Sequence, residues 1–156
     1  MEDFETACRK ESTIQYLPFG HLLTSLLTDE TSLFIAIDFS IIAFGTHLSR
    51  YHGFTKDEII DKGFEIKYEI ESLLLSDSPE ANSTSTGLTY LKFSSFWGAH
   101  ANEFDIILCL GDRFEMFAAV FAGVPFGIKF AHIHGGETTL GAIDNIYRHA
   151  ISLASS

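Results

Sequence analysis

The stretch Phe104-Asp-Ile-Ile-Leu-Cys-Leu-Gly-Asp-Arg-Phe-Glu-Met-Phe-Ala-Ala-Val-Phe-Ala122 decides the fold. Its first part, through Leu110, is a near-continuous apolar run of the kind found in buried parallel strands. Gly111 ends it, and Phe114 to Ala122 then reads as a helix. A strand, a glycine turn and a helix in immediate succession form the first two-thirds of a strand–helix–strand unit.

Working outward toward the C-terminus, Val124-Pro-Phe-Gly-Ile-Lys-Phe-Ala-His132 predicts a turn and a second short apolar strand. Ala142 to Ala154 predicts a final helix. Toward the N-terminus, Ser76-Asp-Ser-Pro79 predicts a turn and cap for a helix from about Glu80 to Trp97. Glu65 to Glu71 alternates charged and apolar residues, as an edge strand does. Thr55, followed by Lys56-Asp-Glu58, predicts a helix start with a capping hydroxyl, and Gly63 its end. Ile41–Phe44 predicts a buried strand, whereas Ser32–Asp38 before it has no clear assignment. Strands alternating with helices imply a parallel sheet with right-handed crossovers, hence a doubly wound α/β domain. Met1–Ala7 is a poor opening strand, and the last helix stops where another strand is expected, so the chain reads as cut at both ends.

Bulk properties narrow the function. A net charge of −11 argues against nucleic acid and against an anionic membrane surface, both of which call for clustered Lys and Arg. A phosphate-bearing small ligand is still allowed, because a helix N-terminus and an arginine hold it locally. Cys8 and Cys109 are too few for a disulfide framework or a zinc site, and Cys109 reads as a small core residue. The run Leu33 to Gly45 is too short to span a bilayer. With no secretory signal visible, the cytoplasm is the expected compartment.

Two constellations carry chemistry. Gly111-Asp112-Arg113 lies between the best strand and the best helix, where ligands of open α/β sheets collect. Asp112 suits proton transfer and Arg113 a bidentate grip on phosphate. Asp112 as a plain helix cap and Arg113 as a solvated side chain are the competing reading. The second constellation is His132-Ile-His134-Gly135-Gly136-Glu137, followed on the next helix by Asp144, Arg148 and His149. Histidines one residue apart on a strand point to one side. His132, His134 and Glu137 are also metal-ligand types, but no fixed third ligand sets a metal geometry. A simple glycine turn is the plain alternative. Asp144 and Arg148, four apart, read as a pair facing each other on the helix.

These residues resemble a known family. Cys109-Leu-Gly-Asp-Arg-Phe-Glu-Met116 and His132-Ile-His-Gly-Gly-Glu-Thr-Thr-Leu-Gly-Ala-Ile-Asp144, with Tyr147-Arg-His149, are similar to the hydrolysing UDP-N-acetylglucosamine 2-epimerases of sialic-acid and legionaminic-acid pathways. Gly45-Thr-His-Leu-Ser49, Gly53-Phe-Thr55 and Leu75-Ser-Asp-Ser-Pro79 extend the likeness to about residues 39–156. The resemblance implies a Rossmann-like parallel sheet flanked by helices, as the incomplete first half of a two-domain GT-B fold. It implies loss of UDP across C1–C2 of the sugar, then hydration with inversion at C2, with no metal or organic cofactor.

By matching position, Asp112 and Asp144 become acid/base carboxylates, and Arg113 contacts the substrate's phosphates. Some relatives carry a catalytic glutamate where His134 stands and others a histidine, so the role falls to His134 or Glu137. Gly111, His132, Gly135, Gly136, Arg148 and His149 line the substrate side. Arg9 stands near the place of the family's opening-loop arginine, with one residue too many before Pro18, and is carried as a UDP contact. The partner implied is a UDP-sugar, in a homodimer or homotetramer. A non-catalytic nucleotide-sugar-binding half-domain and another GT-B glycosyltransferase are the competing functions. The density of acids and histidines from Asp112 to Asp144 favours the epimerase over the transferase.

Overall fold

The computed structural model describes residues 39–52, 54–138 and 143–155. The unassigned Ser32–Asp38 run and Arg9 lie outside these residues. Among the described residues, four strands and four α-helices follow in order: β1 (Ile41–Phe44), α1 (Lys56–Asp61), β2 (Ile66–Ile70), α2 (Pro79–His100), β3 (Ile107–Leu110), α3 (Phe114–Gly123), β4 (Phe130–Ile133) and α4 (Asp144–Leu153). Among the described residues the strands pair as two parallel two-stranded sheets, β1 with β2 and β3 with β4. The expected parallel α/β arrangement is therefore present.

Local chemistry sets the element ends. The Ala81 N–H donates to Ser78 Oγ at 3.1 Å, and Pro79 occupies the first helical position, where its missing N–H costs nothing. After α1, the Gly63 and Phe64 N–H groups return to the carbonyls of Ile60 and Ile59, closing the helix as a glycine C-cap does. Thr55 precedes α1 as expected, but its hydroxyl makes no cap bond. It lies instead 2.6 Å from His47 Nδ1, across the turn that follows β1.

The strand expected from Phe104 starts only at Ile107, because β4 supplies just four rungs, from Ile107↔Phe130 to Leu110↔Ile133. Phe104 instead joins the aromatic cluster, its ring 6.1 Å from Trp97 and 6.4 Å from Phe96. Helix α2 runs three residues beyond Trp97, to His100, and α4 spans Asp144–Leu153, while Ala142, where sequence starts that helix, lies outside the described residues.

The core lies where α2, α3 and the β3–β4 pair meet. Ala81, Ser85, Thr89, Phe93 and Trp97, spaced by four, form the buried row of α2. Phe93 and Trp97 pack with Cys109, Val120, Phe130 and Ile151, all nearly solvent-free. The buried indole Nε1–H of Trp97 donates to the Ala119 carbonyl at 2.9 Å, tying α2 to α3. This packing holds the C-terminal end of β3 against α4, and there the charged side chains gather. Among the described residues no helix is long and apolar enough to cross a membrane.

Candidate active site

Beyond the last rung of β3, Gly111 turns the chain with φ +90°, a conformation that favours glycine. The turn delivers Asp112 and Arg113 at the start of α3. The N-cap of α3 is Arg113, with no side-chain cap bond, so Asp112 does not cap this helix. Its carboxylate instead accepts a charge-assisted hydrogen bond from Arg148 Nη2 on α4.

That contact corrects the Asp144–Arg148 pairing expected from spacing. Arg148 lies on the buried face of α4, 8% exposed, and reaches the end of β3 rather than along its own helix. Its Nη1 is buried without a hydrogen-bond partner. Asp144 stands in the first turn of α4, and His149 is exposed.

Arg113 is not simply solvated. Its Nε donates to Glu115 Oε2 at 3.1 Å and its Nη2 to Oε1 at 3.2 Å, in a side-on pair. Glu115 is missing from the sequence-derived site, yet it is the one buried acid among the described residues, at 3% exposure. The available signal was its isolation as the sole charge in the otherwise apolar Phe114–Gly123 helix.

His47 was missed as well. Burial and the nearby Arg113 charge hold its imidazole down at about 4. Burial likewise pushes the Cys109 thiol up to about 12, which removes it as a nucleophile and bears out its reading as a core residue.

The two histidines after β4 part company. The strand ends at Ile133, and His134 adopts φ +65°, which breaks the alternation that would set both rings on one side. His132 turns inward. Its Nε2–H donates to the Gly111 carbonyl at 2.7 Å, and its Nδ1 lies 2.8 Å from Ser152 Oγ of α4. Since a carbonyl can only accept, the Nε2 proton is assigned by that contact. His132 thus clamps the turn that carries Asp112 to the helix that carries Arg148.

Gly135 fits against this clamp so closely that a Cβ there would collide with Ser152 Oγ and His132 Nδ1. Gly136, by contrast, faces open space. His134 Nδ1 donates to Glu137 Oε1 at 2.5 Å, joining in one exposed pair the two residues that sequence left as alternatives.

Three linked groups result: Asp112 with Arg148, Arg113 with Glu115, and His134 with Glu137. Among the described residues no hydrogen bond or ion pair joins Glu137 or Asp144 to Asp112. Nor do three His, Cys, Asp or Glu side chains gather among these residues so as to hold a metal ion. An open groove of about 400 Å³ lies past the ends of β1 and β2, lined by Gly45, Leu48, Arg50, Tyr51 and Ser72 among others. Gly45, which packs beside Glu115, is part of its lining, and Asp112 is not.

Known proteins match this chain along most of its length. Residues 34–156 fit the family model described as UDP-N-acetylglucosamine 2-epimerase. A GDP/UDP-N,N'-diacetylbacillosamine 2-epimerase (hydrolyzing) of Campylobacter jejuni is 38% identical over 119 residues, 76% of this chain and 30% of that protein. The UDP-N,N'-diacetylbacillosamine 2-epimerase (hydrolyzing) of Legionella pneumophila is 36% identical over 76% of this chain and 31% of its own length.

Among solved structures, the UDP-GlcNAc 2-epimerase of Neisseria meningitidis bound to UDP-GlcNAc superposes with a TM-score of 0.67 at 16% identity. It covers 92% of this chain and 37% of that one. The fold is that of a Rossmann-like part of the GT-B architecture of these structures. The chain thus spans about a third of the length of its relatives. With its strand-end motifs in place and a family model matched from residue 34 to residue 156, the chain belongs to the UDP-N-acetylglucosamine 2-epimerase family.

Proposed function

We propose that this chain supplies the first-domain half of the active site of a cytoplasmic, hydrolysing 2-epimerase acting on a UDP-linked 2-acetamido sugar. The observation that carries this reading is the Asp112–Arg148 contact, which pins a carboxylate beyond the end of β3 beside an exposed guanidinium. Two relatives that are 38% and 36% identical over the same stretch are named as hydrolysing diacetylbacillosamine 2-epimerases. A UDP-diacetamido sugar is therefore the first substrate to test and UDP-N-acetylglucosamine the second.

The chemistry assigns each group a task. A carboxylate, Asp112, takes the C2 proton of the sugar. The C2–H electrons form the C1=C2 bond, the C1–O bond breaks, and UDP leaves with its charge met by Arg113. Water then adds at C1 while an acid returns a proton to the opposite face of C2, giving the free epimerised sugar. Asp144 and the His134–Glu137 pair are the candidates for that second half. In the pair, Glu137 fixes the tautomer of His134, leaving Nε2 as the outward nitrogen. Gly111, Gly135, Gly136, His132 and His149 line the approach, while Arg148 acts on the substrate's surroundings through Asp112. Arg9 is carried as a contact to UDP.

The test is UDP release by the full-length enzyme, run in D2O with each sugar nucleotide. The reading expects one equivalent of UDP per sugar and a product carrying deuterium at C2. Complete retention of the original C2 hydrogen contradicts the elimination. Residues 1–156 alone are expected to give no turnover, and measurable UDP release by that purified piece contradicts its role as a half-site.

A further inference from the structure

A buried acid in the first turn of an apolar helix needs a counter-charge, and Glu115 has one in Arg113 two residues earlier. The geometry of the pair is specific. Glu115 takes the Nε–Nη2 side of the guanidinium, through contacts of 3.1 to 3.3 Å. An arginine carries five N–H groups, and this pairing leaves three of them, both on Nη1 and the outer one on Nη2, and with them the end-on edge, without a protein partner among the described residues. The Arg113 side chain is 46% exposed while that of Glu115 is 4% exposed, so the pair is anchored at one end and open at the other. The Phe114 ring lies 5.6 Å from the guanidinium carbon and supports it from a second side.

The fold reserves space for this anchor. Gly45, at the end of β1, has φ +62°, and a Cβ there would stand 3.1 Å from Glu115 Cγ and 3.3 Å from Oε1. A side chain at position 45 would press on Glu115, which would have to yield by a few tenths of an ångström. A residue of the first crossover thus bears on the orientation of an arginine two strands later in the chain.

We infer that Glu115 is a positioning residue, whose buried carboxylate holds the Arg113 guanidinium side-on so that its end-on edge is presented to a diphosphate. The inference rests on the reading of Arg113 as the phosphate contact. Glu115 touches no substrate itself. Its effect is on how much of the guanidinium's binding geometry is set before the ligand arrives.

The experiment is a double-mutant cycle on UDP affinity, measured as product inhibition in the full-length enzyme, with Glu115→Gln, Arg113→Ala and the pair. Glu115→Gln is expected to weaken UDP by about 10- to 100-fold, the range for a hydrogen bond to a charged group, with the loss in KM rather than kcat. Added to Arg113→Ala, it should cost nothing further, because there is then no guanidinium to aim. Arg113→Lys, measured alongside, keeps the charge but not the fork, and is expected to lose about tenfold or more.

Effects that multiply in the double mutant, or a Glu115→Gln enzyme within twofold of wild type, overturn the positioning role. So does an Arg113→Lys enzyme of unchanged affinity, a result that does not depend on how the Glu115 variant folds. Failure of the wild-type enzyme to bind UDP at all would instead sink the underlying phosphate reading, and the inference with it.

Discussion

The aromatic core beneath α2 and the polar cluster beyond β3 are held by opposite means. In the core, Trp97 packs against both Phe93 and Phe130, and all three are almost solvent-free. Each loses its neighbours' dispersion contacts only in part when one side chain is changed. Beyond β3, Asp112 is held by Arg148, Glu115 by Arg113, and His132 by the Gly111 carbonyl and Ser152, each through directional contacts. The core is bound by area and shape. The cluster depends on particular partners, and several of its groups become costly when left alone. A molecule built this way can be damaged in the core with a purely structural result, whereas damage in the cluster should reach both stability and activity.

The largest expected effect on stability comes from the core. Trp97→Ala deletes a 2% exposed indole and its hydrogen bond to Ala119, and should cost about 3–5 kcal/mol. Chemical denaturation of full-length protein measures this, and a loss below about 1 kcal/mol would deny Trp97 its place at the centre of the core.

In the cluster, Arg148→Met leaves Asp112 without its counter-charge. Breaking a fully buried pair costs about 3–5 kcal/mol. The Asp112 side chain retains 21% exposure, so water recovers part of that and about 2 kcal/mol is expected. UDP release should fall with it, which separates the cluster from the core. An Arg148→Met enzyme of normal rate would show that the Asp112 contact is structural only.

His47 sharpens the comparison through pH. Its folded-state value of about 4 lies below the ordinary 6.5, so the folded protein keeps the ring neutral where an unfolded chain would protonate it. The unfolded state then binds the extra proton, and stability falls as pH drops from about 6.5 toward 4, then levels off. Each tenfold change in proton affinity is worth about 1.4 kcal/mol, so the whole loss is on the order of 3 kcal/mol. His47→Asn should flatten that slope. An identical pH dependence in the variant would assign the acid sensitivity to other groups.

The smallest effect belongs to the exposed Lys56–Glu69 pair, 2.9 Å apart between α1 and β2. Lys56→Met should change stability by under about 1 kcal/mol. A larger loss would mean that surface pairing contributes to this fold on the scale of the buried cluster.

Much of the architecture was readable because it is local. Apolar runs ended by Gly45 and Gly111, a helix ended by Gly63, and Ser78-Pro79 at a helix start, are short-range signals, and the elements appear within a few residues of where they point. Side-chain partners were another matter. The spacing of Asp144 and Arg148 argues for a contact within one helix, but Arg148 faces the core and finds Asp112, 36 residues away in the chain. The Thr55 hydroxyl suits a cap, but the turn after β1 brings His47 closer. His132 and His134 alternate in sequence, yet the strand ends between them. Each of these outcomes is set by which segments meet in space, and no local pattern encodes that. Glu115 came nearest to legibility, as a lone charge among apolar neighbours that signals a buried partner without naming it.

The most direct test is the rate of UDP release by a full-length Asp112→Asn enzyme beside wild type, with UDP binding measured on both to show an intact site. A carboxylate that removes the C2 proton cannot be replaced by a neutral amide, so release should fall by about 1,000-fold while UDP still binds. Release at an undiminished rate would place the proton transfer elsewhere and undo the assignment of the strand-end cluster as the catalytic centre.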